Sequence, residues 1–165
     1  NEKIEMPDFR GYFSVFNETL NKRPGQTIHF EPGRSIVAAC GTLITKVLYV
    51  KENPADAYVI VDAGMTELIR PALYQSYHPI VNLNGANSQR FYAVAGPICE
   101  SSDFFTKKIL LPRVERGNLL GIKQVGAYGE VMSSRYNLRY AVKRFHVDIE
   151  TLINEDQLIA GIAAN

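Results

Sequence analysis

The sequence predicts a mainly β protein, a body of sandwich or barrel type preceded by one helix and one β-prone stretch. Three observations predict it. An apolar face at helical spacing is confined to the first two dozen residues. Beyond it the chain turns to runs rich in Val, Ile, Leu and Thr. Turn residues then separate those runs: Asn53-Pro54, Gly96-Pro97, Gly117-Asn118, Gly126 and Gly129. The 165 residues suit a single domain, and a chain of this length buries roughly 68–70% of its unfolded surface, enough for a core.

Residues 7–22 read as a helix, because Phe9, Tyr12, Phe13, Phe16 and Leu20 recur at steps of three and four. Asp8 is placed to cap its start, and Pro24-Gly25 stops it. Gln26–Phe30 is short and β-prone. Ser35–Lys51 reads as one or two strands, nearly continuous in apolar residues at first and alternating around Thr45, Val47 and Tyr49. Tyr58–Asp62 is a compact buried strand. Thr66–Tyr74 reads as a short helix or turn. Phe91–Ala95, Lys107–Val114, Leu119–Lys123 and Tyr140–Val147 complete the strands, and Thr151–Ile159 reads as a closing helix. A helix and one strand make an odd prelude to an all-β body. They look like the tail of an α/β unit, with the boundary near Arg34.

Composition narrows the function. Eighteen Lys+Arg against seventeen Asp+Glu give a net charge of +1, so there is no basic excess to hold a nucleic-acid backbone. The longest uncharged apolar stretch, Ser35–Thr45, is too short for a membrane span. Asn1–Glu5 is polar and lacks the apolar run of a secretory signal. Cys40 and Cys99 do not make a disulfide framework, which points to a reducing, cytoplasmic setting. Cys40, within Val37-Ala38-Ala39-Cys40, reads as core. A chain that opens on Asn1 reads as a piece of something longer.

Four places carry chemistry. At Glu31-Pro32-Gly33-Arg34, Gly33 allows close backbone approach to a ligand, and Arg34 offers a planar fork for phosphate or carboxylate. The plainer alternative is a strand-to-turn junction with a surface ion pair. Arg70 and Tyr74 in Arg-Pro-Ala-Leu-Tyr lie four apart, on one face of a helical turn, where they are able to grip a carboxylate. The alternative is a solvated Arg beside a packed Tyr. Cys99 and Glu100 sit in the turn Gly96-Pro97-Ile98-Cys99-Glu100-Ser101-Ser102-Asp103, a thiol beside a carboxylate. A positioned thiol donates a proton and a carboxylate binds an ammonium; the alternative is an inert, half-buried thiol. Tyr128 in Gly126-Ala127-Tyr128-Gly129, with Tyr136-Asn137 downstream, exposes a phenol able to donate to an anion, or is a packing Tyr in a turn. No spacing of His and Cys suits a metal. His29, His78 and His146 form no triad, and His78 before Pro79 reads as a loop residue.

Taken together, E-P-G-R at 31–34, D-A-G-M at 62–65, R-P-A-L-Y at 70–74, G-P-I-C-E-S-S-D at 96–103 and G-A-Y-G at 126–129 resemble the C-terminal part of the diaminopimelate decarboxylases. These are pyridoxal-phosphate enzymes of the alanine racemase fold type. The resemblance runs roughly from Pro7 to Asp148, and C-E-S-S-D is its most specific element; ornithine decarboxylases usually carry Asp where this chain has Glu100. It implies that residues 1–34 are the last helix and strand of a (β/α) barrel, 35–150 a C-terminal β domain and 151–165 a tail. It implies that Glu31 pairs with the pyridine nitrogen of the cofactor. Gly33, Arg34 and Tyr128 would lie at its phosphate. Arg34, Arg70, Tyr74, Glu100 and Tyr128 would bind a small amino-acid substrate, and Cys99 would donate the proton, in a homodimer that shares its active sites. The family's Schiff-base lysine, stacking His and glycine-rich phosphate loop have no counterpart here, so the resemblance implies a fragment inactive alone. Two alternatives stay open: a related decarboxylase of ornithine, arginine or a carboxylated polyamine, and a stand-alone, non-catalytic β module. The exposed stripe of Phe9, Phe13 and Phe16 predicts self-association to at least a dimer.

Overall fold

The computed structural model describes residues 7–53, 57–85 and 88–147. Helix α1 runs over Phe9–Thr19, and the Asp8 carboxylate accepts the Gly11 N–H at 2.9 Å as its cap. The expected stripe is present, but it joins no β core: no residue of α1 is buried. Phe13 and Phe16 instead pack their rings on Phe30, at 4.7 and 4.9 Å between centroids. Residues 26–30 join no sheet among the described residues; a strand needs a neighbour for its N–H and C=O groups.

The body is one six-stranded sheet built from β1 (Thr42–Glu52), β2 (Ala57–Val61), β3 (Ile80–Asn82), β4 (Gln89–Ala95), β5 (Phe104–Pro112) and β6 (Leu119–Lys123). Its order is β3-β6-β1-β2-β4-β5. Strand β1 is long because it serves two neighbours. Thr42–Lys46 pair with β6, and Val47–Glu52 pair with β2 across an irregularity between Val47 and Tyr49. Among the described residues only β2 and β4 run parallel, Tyr58 opposite Ala93. A parallel pair needs a long crossover, and this one carries the short helix α2 (Arg70–Tyr74) and β3. The sheet curls until β3 lies beside β5, where the Asn82 amide donates to the Arg113 carbonyl at 3.0 Å. The nearly closed interior holds Val47, Val59, Val61, Leu68, Ile80, Tyr92, Val94, Phe105, Leu111, Leu120 and Ile122. Tyr92 is buried whole, its hydroxyl accepting the Val114 N–H.

The mainly β architecture thus follows the sequence, with four differences in detail. The expected strand from Ser35 begins only at Thr42: Gly33–Ser35 and Ala38–Cys40 are 3₁₀ turns. Cys40 is exposed rather than core. Its thiol donates to the Val37 carbonyl at 2.9 Å, because the turn lifts it out of any strand. Tyr140–Val147 is irregular rather than a strand, and Tyr140 is almost fully exposed. Strand β3 was hidden by its three-residue length. The expected helix at 151–159 lies outside the described residues.

Candidate active site

Strand direction gathers the four sequence places. β2 and β4 are parallel, and β1 is antiparallel to both β2 and β6. The start of β1 and the ends of β2, β4 and β6 therefore lie at the same end of the sheet. E-P-G-R leads into β1; D-A-G-M and α2 follow β2; the Cys99–Glu100 turn follows β4; G-A-Y-G follows β6. Segments scattered over a hundred residues open on one rim.

Two backbone approaches fix the first part of that rim. The Gly126 N–H donates to the Ala38 carbonyl at 3.0 Å and the Val125 N–H to the Gly41 carbonyl at 3.1 Å. The strands of contact are so close that a Cβ on Gly126 would lie 2.0 Å from the Val37 oxygen. The Ala38–Cys40 turn, a few residues after Arg34, is thereby docked against the loop bearing Tyr128. Tyr128 takes a left-handed backbone, φ 66°, an unusual conformation for a residue with a side chain and one that collects at functional sites.

Arg70 lies between two phenols. Its guanidinium carbon is 5.1 Å from the ring centre of Tyr74 and 5.7 Å from that of Tyr128. One terminal nitrogen donates weakly to Ser76 at 3.3 Å, while its Nε is buried without a partner. A buried guanidinium N–H without a partner in the protein is a donor open to a ligand. Beneath it sits His78, 3% exposed. Its Nδ1 bonds the Lys123 carbonyl at 3.0 Å, and its Nε2 has no partner. Burial pushes the imidazole below its ordinary pKa, against the pull of the Lys123 carbonyl, and the charges of Arg70 and Arg34 add to the lowering. The lowered pKa favours the neutral ring.

The Cys99–Glu100 turn has its own support. Asp103, 3% exposed, accepts the Met65 N–H at 2.6 Å and the Ile98 N–H at 2.7 Å. One carboxylate ties the loop after β2 to the loop after β4. Gly64 and Gly96 make room for it: a Cβ on Gly96 would lie 2.3 Å from the Asp103 carboxylate and 2.5 Å from Gly64 Cα. Burial holds the Asp103 carboxyl above its ordinary pKa, the two N–H donors opposing. Cys99 and Glu100 project from this platform, both exposed.

Of the expected residues, the structure brings Tyr74 and Tyr128 onto Arg70; Arg34 makes no hydrogen bond or ion pair with them among the described residues. Glu31 is exposed and makes no side-chain hydrogen bond or ion pair among the described residues. Gly33 is open, with no heavy atom within 4 Å of where its Cβ would lie. Cys99 and Glu100 make no hydrogen bond or ion pair with Arg70 among the described residues. Their neighbour is Tyr136, whose hydroxyl donates to Glu100 Oε1 at 2.9 Å. That bond, with the charge of Glu100, holds the phenol proton above its ordinary pKa; Cys99 contributes last. Sequence reasoning gave no role to Tyr136, His78, Glu67, Arg139 or Asp103. The pairing of Glu67 with Arg139, far apart in the chain, leaves no local signal; Tyr136 and Asp103 stood inside or beside segments already singled out.

A family model described as the C-terminal sheet domain of pyridoxal-dependent decarboxylases matches residues 13–126. The chain belongs to that family. It is 51% identical over 143 residues, 87% of its length, to a diaminopimelate decarboxylase of Bacteroides thetaiotaomicron, of which it covers 37%. It is 47% identical to a diaminopimelate decarboxylase of Methanocaldococcus jannaschii, whose crystal structure superposes with a TM-score of 0.63 over 66% of this chain and 25% of that one. The Helicobacter pylori diaminopimelate decarboxylase complexed with L-lysine is 50% identical, with a TM-score of 0.60 over 65% of this chain and 26% of that one. The chain spans about a quarter to two fifths of the length of the curated relatives it matches.

Proposed function

We propose that the chain is the C-terminal part of a pyridoxal-phosphate-dependent diaminopimelate decarboxylase, which converts meso-diaminopimelate to L-lysine and carbon dioxide. The observation that carries the reading is the convergence of all four motif segments on one rim, with Arg70 held between Tyr74 and Tyr128.

The residues present fit one side of a pyridoxal-phosphate pocket. The donor set is cationic and phenolic, as a phosphate and a carboxylate require. An N–H of Arg70 is buried and unused, and the backbone at Gly33 is uncovered. When bound, the cofactor supplies the electron sink for the charge left as carbon dioxide departs. Glu31 keeps the pyridine nitrogen protonated, and Gly33, Arg34 and Tyr128 bind the phosphate. Arg70 and Tyr74, with Arg34 and Tyr128, hold the distal carboxylate of the substrate, and Glu100 its distal ammonium. Cys99 Sγ delivers a proton to the carbon that lost its carboxylate. Neither Cys99 nor Glu100 bonds Arg70 among the described residues, which suits a homodimer in which each chain lends that pair to its partner's site.

Residues 1–34 are then the end of a (β/α) barrel. The aromatic face of α1, which packs on Phe30 and on no part of the β core, supports this. Residues 35–150 form the β domain and 151–165 its tail. Two cysteines, unpaired and exposed, suit the cytoplasm. The Schiff-base lysine of the family has no counterpart here, so the 165 residues alone are inactive.

Competition between meso-diaminopimelate and ornithine in the full-length protein tests the reading. Arg70 and Glu100 together favour a substrate carrying both a distal carboxylate and a distal amine, so diaminopimelate is consumed first. Preferential loss of ornithine overturns the assignment.

A further inference from the structure

Glu100 stands on an exposed turn, and a lone exposed carboxylate samples many rotamers before it meets an ammonium. Something must hold it if it is to discriminate. The residues after the G-A-Y-G loop do so. The Ser134 N–H donates to the Thr66 carbonyl at 2.9 Å. Five residues on, the Arg139 guanidinium donates to the Asp62 carbonyl and faces Glu67, Nε to Oε1 at 3.5 Å. Glu67 is itself fixed, with a side chain 8% exposed, and its other oxygen accepts from Gly64 N–H at 2.7 Å and Thr66 Oγ at 2.8 Å. Between these anchors the chain bulges outward. Asn137 and Leu138 both take left-handed backbones, φ 55° and 57°, which two adjacent non-glycine residues adopt only when their ends are held. Leu138 is 95% exposed, so its own side chain gains nothing from the bulge. What the bulge delivers is the Tyr136 hydroxyl, 2.9 Å from Glu100 Oε1.

We propose that Tyr136 is a positioning residue: by donating to Glu100 Oε1 it fixes that carboxylate so that its other oxygen recognises the distal ammonium of a diamino-dicarboxylate substrate. The inference rests on the function proposed above, which gives Glu100 its ligand. Residues 134–139 are then a strap, pinned by Ser134 and Arg139 to the loop after β2 and carrying Tyr136 to the loop after β4. Because Glu100 holds the phenol proton, the donor persists through neutral and mildly alkaline pH. The one side-chain hydrogen bond of the Tyr136 hydroxyl among the described residues goes to Glu100. Its loss is therefore expected to weaken recognition of the amine far more than the chemical step.

The test uses the full-length protein with cofactor, as wild type and as Tyr136→Phe, which keeps the ring and removes only the donor. Two ligands are compared: meso-diaminopimelate as substrate, and 2-aminopimelate, which lacks the distal ammonium, as competitive inhibitor. The expected result is a KM for diaminopimelate raised about tenfold, the size of one hydrogen bond to a charged group. The kcat and the inhibition constant of 2-aminopimelate stay within about twofold. An equal rise in both constants shows a merely structural residue and overturns the inference, as does a Tyr136→Phe enzyme indistinguishable from wild type. A Glu100→Ala variant, which removes the acceptor, separates the steps: in it the further change Tyr136→Phe is expected to have no additional effect, and an additive effect contradicts the coupling. If the wild type does not decarboxylate diaminopimelate, the underlying function falls, and the inference with it; if it does and Tyr136→Phe is silent, only the inference falls.

Discussion

Asp103 is the joint on which the Cys99–Glu100 turn depends, and replacing it has a calculable cost. Asp103→Ala removes the acceptor of the Met65 and Ile98 N–H groups, at 2.6 and 2.7 Å. Ile98 is buried and Met65 partly so, and the packed loops leave little room for water to replace the carboxylate. Two orphaned donors at about 1–3 kcal/mol each give roughly 2–6 kcal/mol. The penalty for burying a carboxylate, visible in its raised pKa, is relieved at the same time, so the net loss is about 2–4 kcal/mol. Asp103→Asn keeps one acceptor oxygen and turns an amide N–H toward the second donor. One orphan remains, and the loss is about 1–3 kcal/mol. The chain has no tryptophan, so urea unfolding followed by far-UV circular dichroism is the assay. The expected order of stability is wild type, then Asn, then Ala. Variants within about 0.5 kcal/mol of wild type, the range of surface changes, would refute the claim that one carboxylate joins the two loops. The sign of the pH effect is also fixed. A carboxyl whose folded pKa is raised above 3.8 keeps its proton better folded than unfolded. Its contribution is complete below 3.8 and is lost as pH rises through the folded value.

Three further outcomes are expected. Gly126→Ala places a methyl 2.0 Å from the Val37 oxygen and 2.9 Å from Cys40 Sγ, forcing the Ala38–Cys40 turn away from the Tyr128 loop at about 1–3 kcal/mol, read from the urea midpoint. His78, with a folded pKa below 6.5, takes its proton in the unfolded chain first. The contribution of His78 to stability is therefore complete well above 6.5 and is lost as pH drops through 6.5 toward the lower folded value, and His78→Gln reduces that slope. Arg139→Ala strips the Asp62 carbonyl of its donor and Glu67 of its cation. The cost is about 2 kcal/mol, under the 3–5 of a fully buried pair, because the Arg139 side chain is 32% exposed. Thermal unfolding reads it, and limited proteolysis near Tyr136 is expected to quicken.

Much of the fold was legible because its signals are local. The α1 stripe and the Asp8 cap repeat at helical spacing, and the buried runs of β2, β4 and β6 stand between clear turns. The misses have physical reasons. Val37, Ala38, Ala39 and Cys40 look like the beginning of a strand, but Gly41 and Gly126 bring two backbones together there, and the chain folds into 3₁₀ turns instead. Tyr140 and Val142 have β-prone side chains, yet that segment has no neighbour to pair with among the described residues. The site was legible as motifs and not as an arrangement. That Arg70 meets Tyr128 follows from the order β6-β1-β2, which composition does not encode. The anchors beneath the motifs, Asp103, His78 and the Glu67–Arg139 pair, are made by contacts between distant segments, each ordinary in its own stretch of sequence.

The central claim is that Arg70, framed by Tyr74 and Tyr128, holds the distal carboxylate of diaminopimelate in a decarboxylase of which this chain is one part. Carbon dioxide release from carboxyl-labelled meso-diaminopimelate by the full-length protein, as wild type and Arg70→Gln, tests it most directly. The account expects one lysine per carbon dioxide in the wild type and a KM raised about 10- to 100-fold in the variant, the worth of a hydrogen bond between charged groups. An Arg70→Gln protein that handles diaminopimelate as well as the wild type does would contradict it.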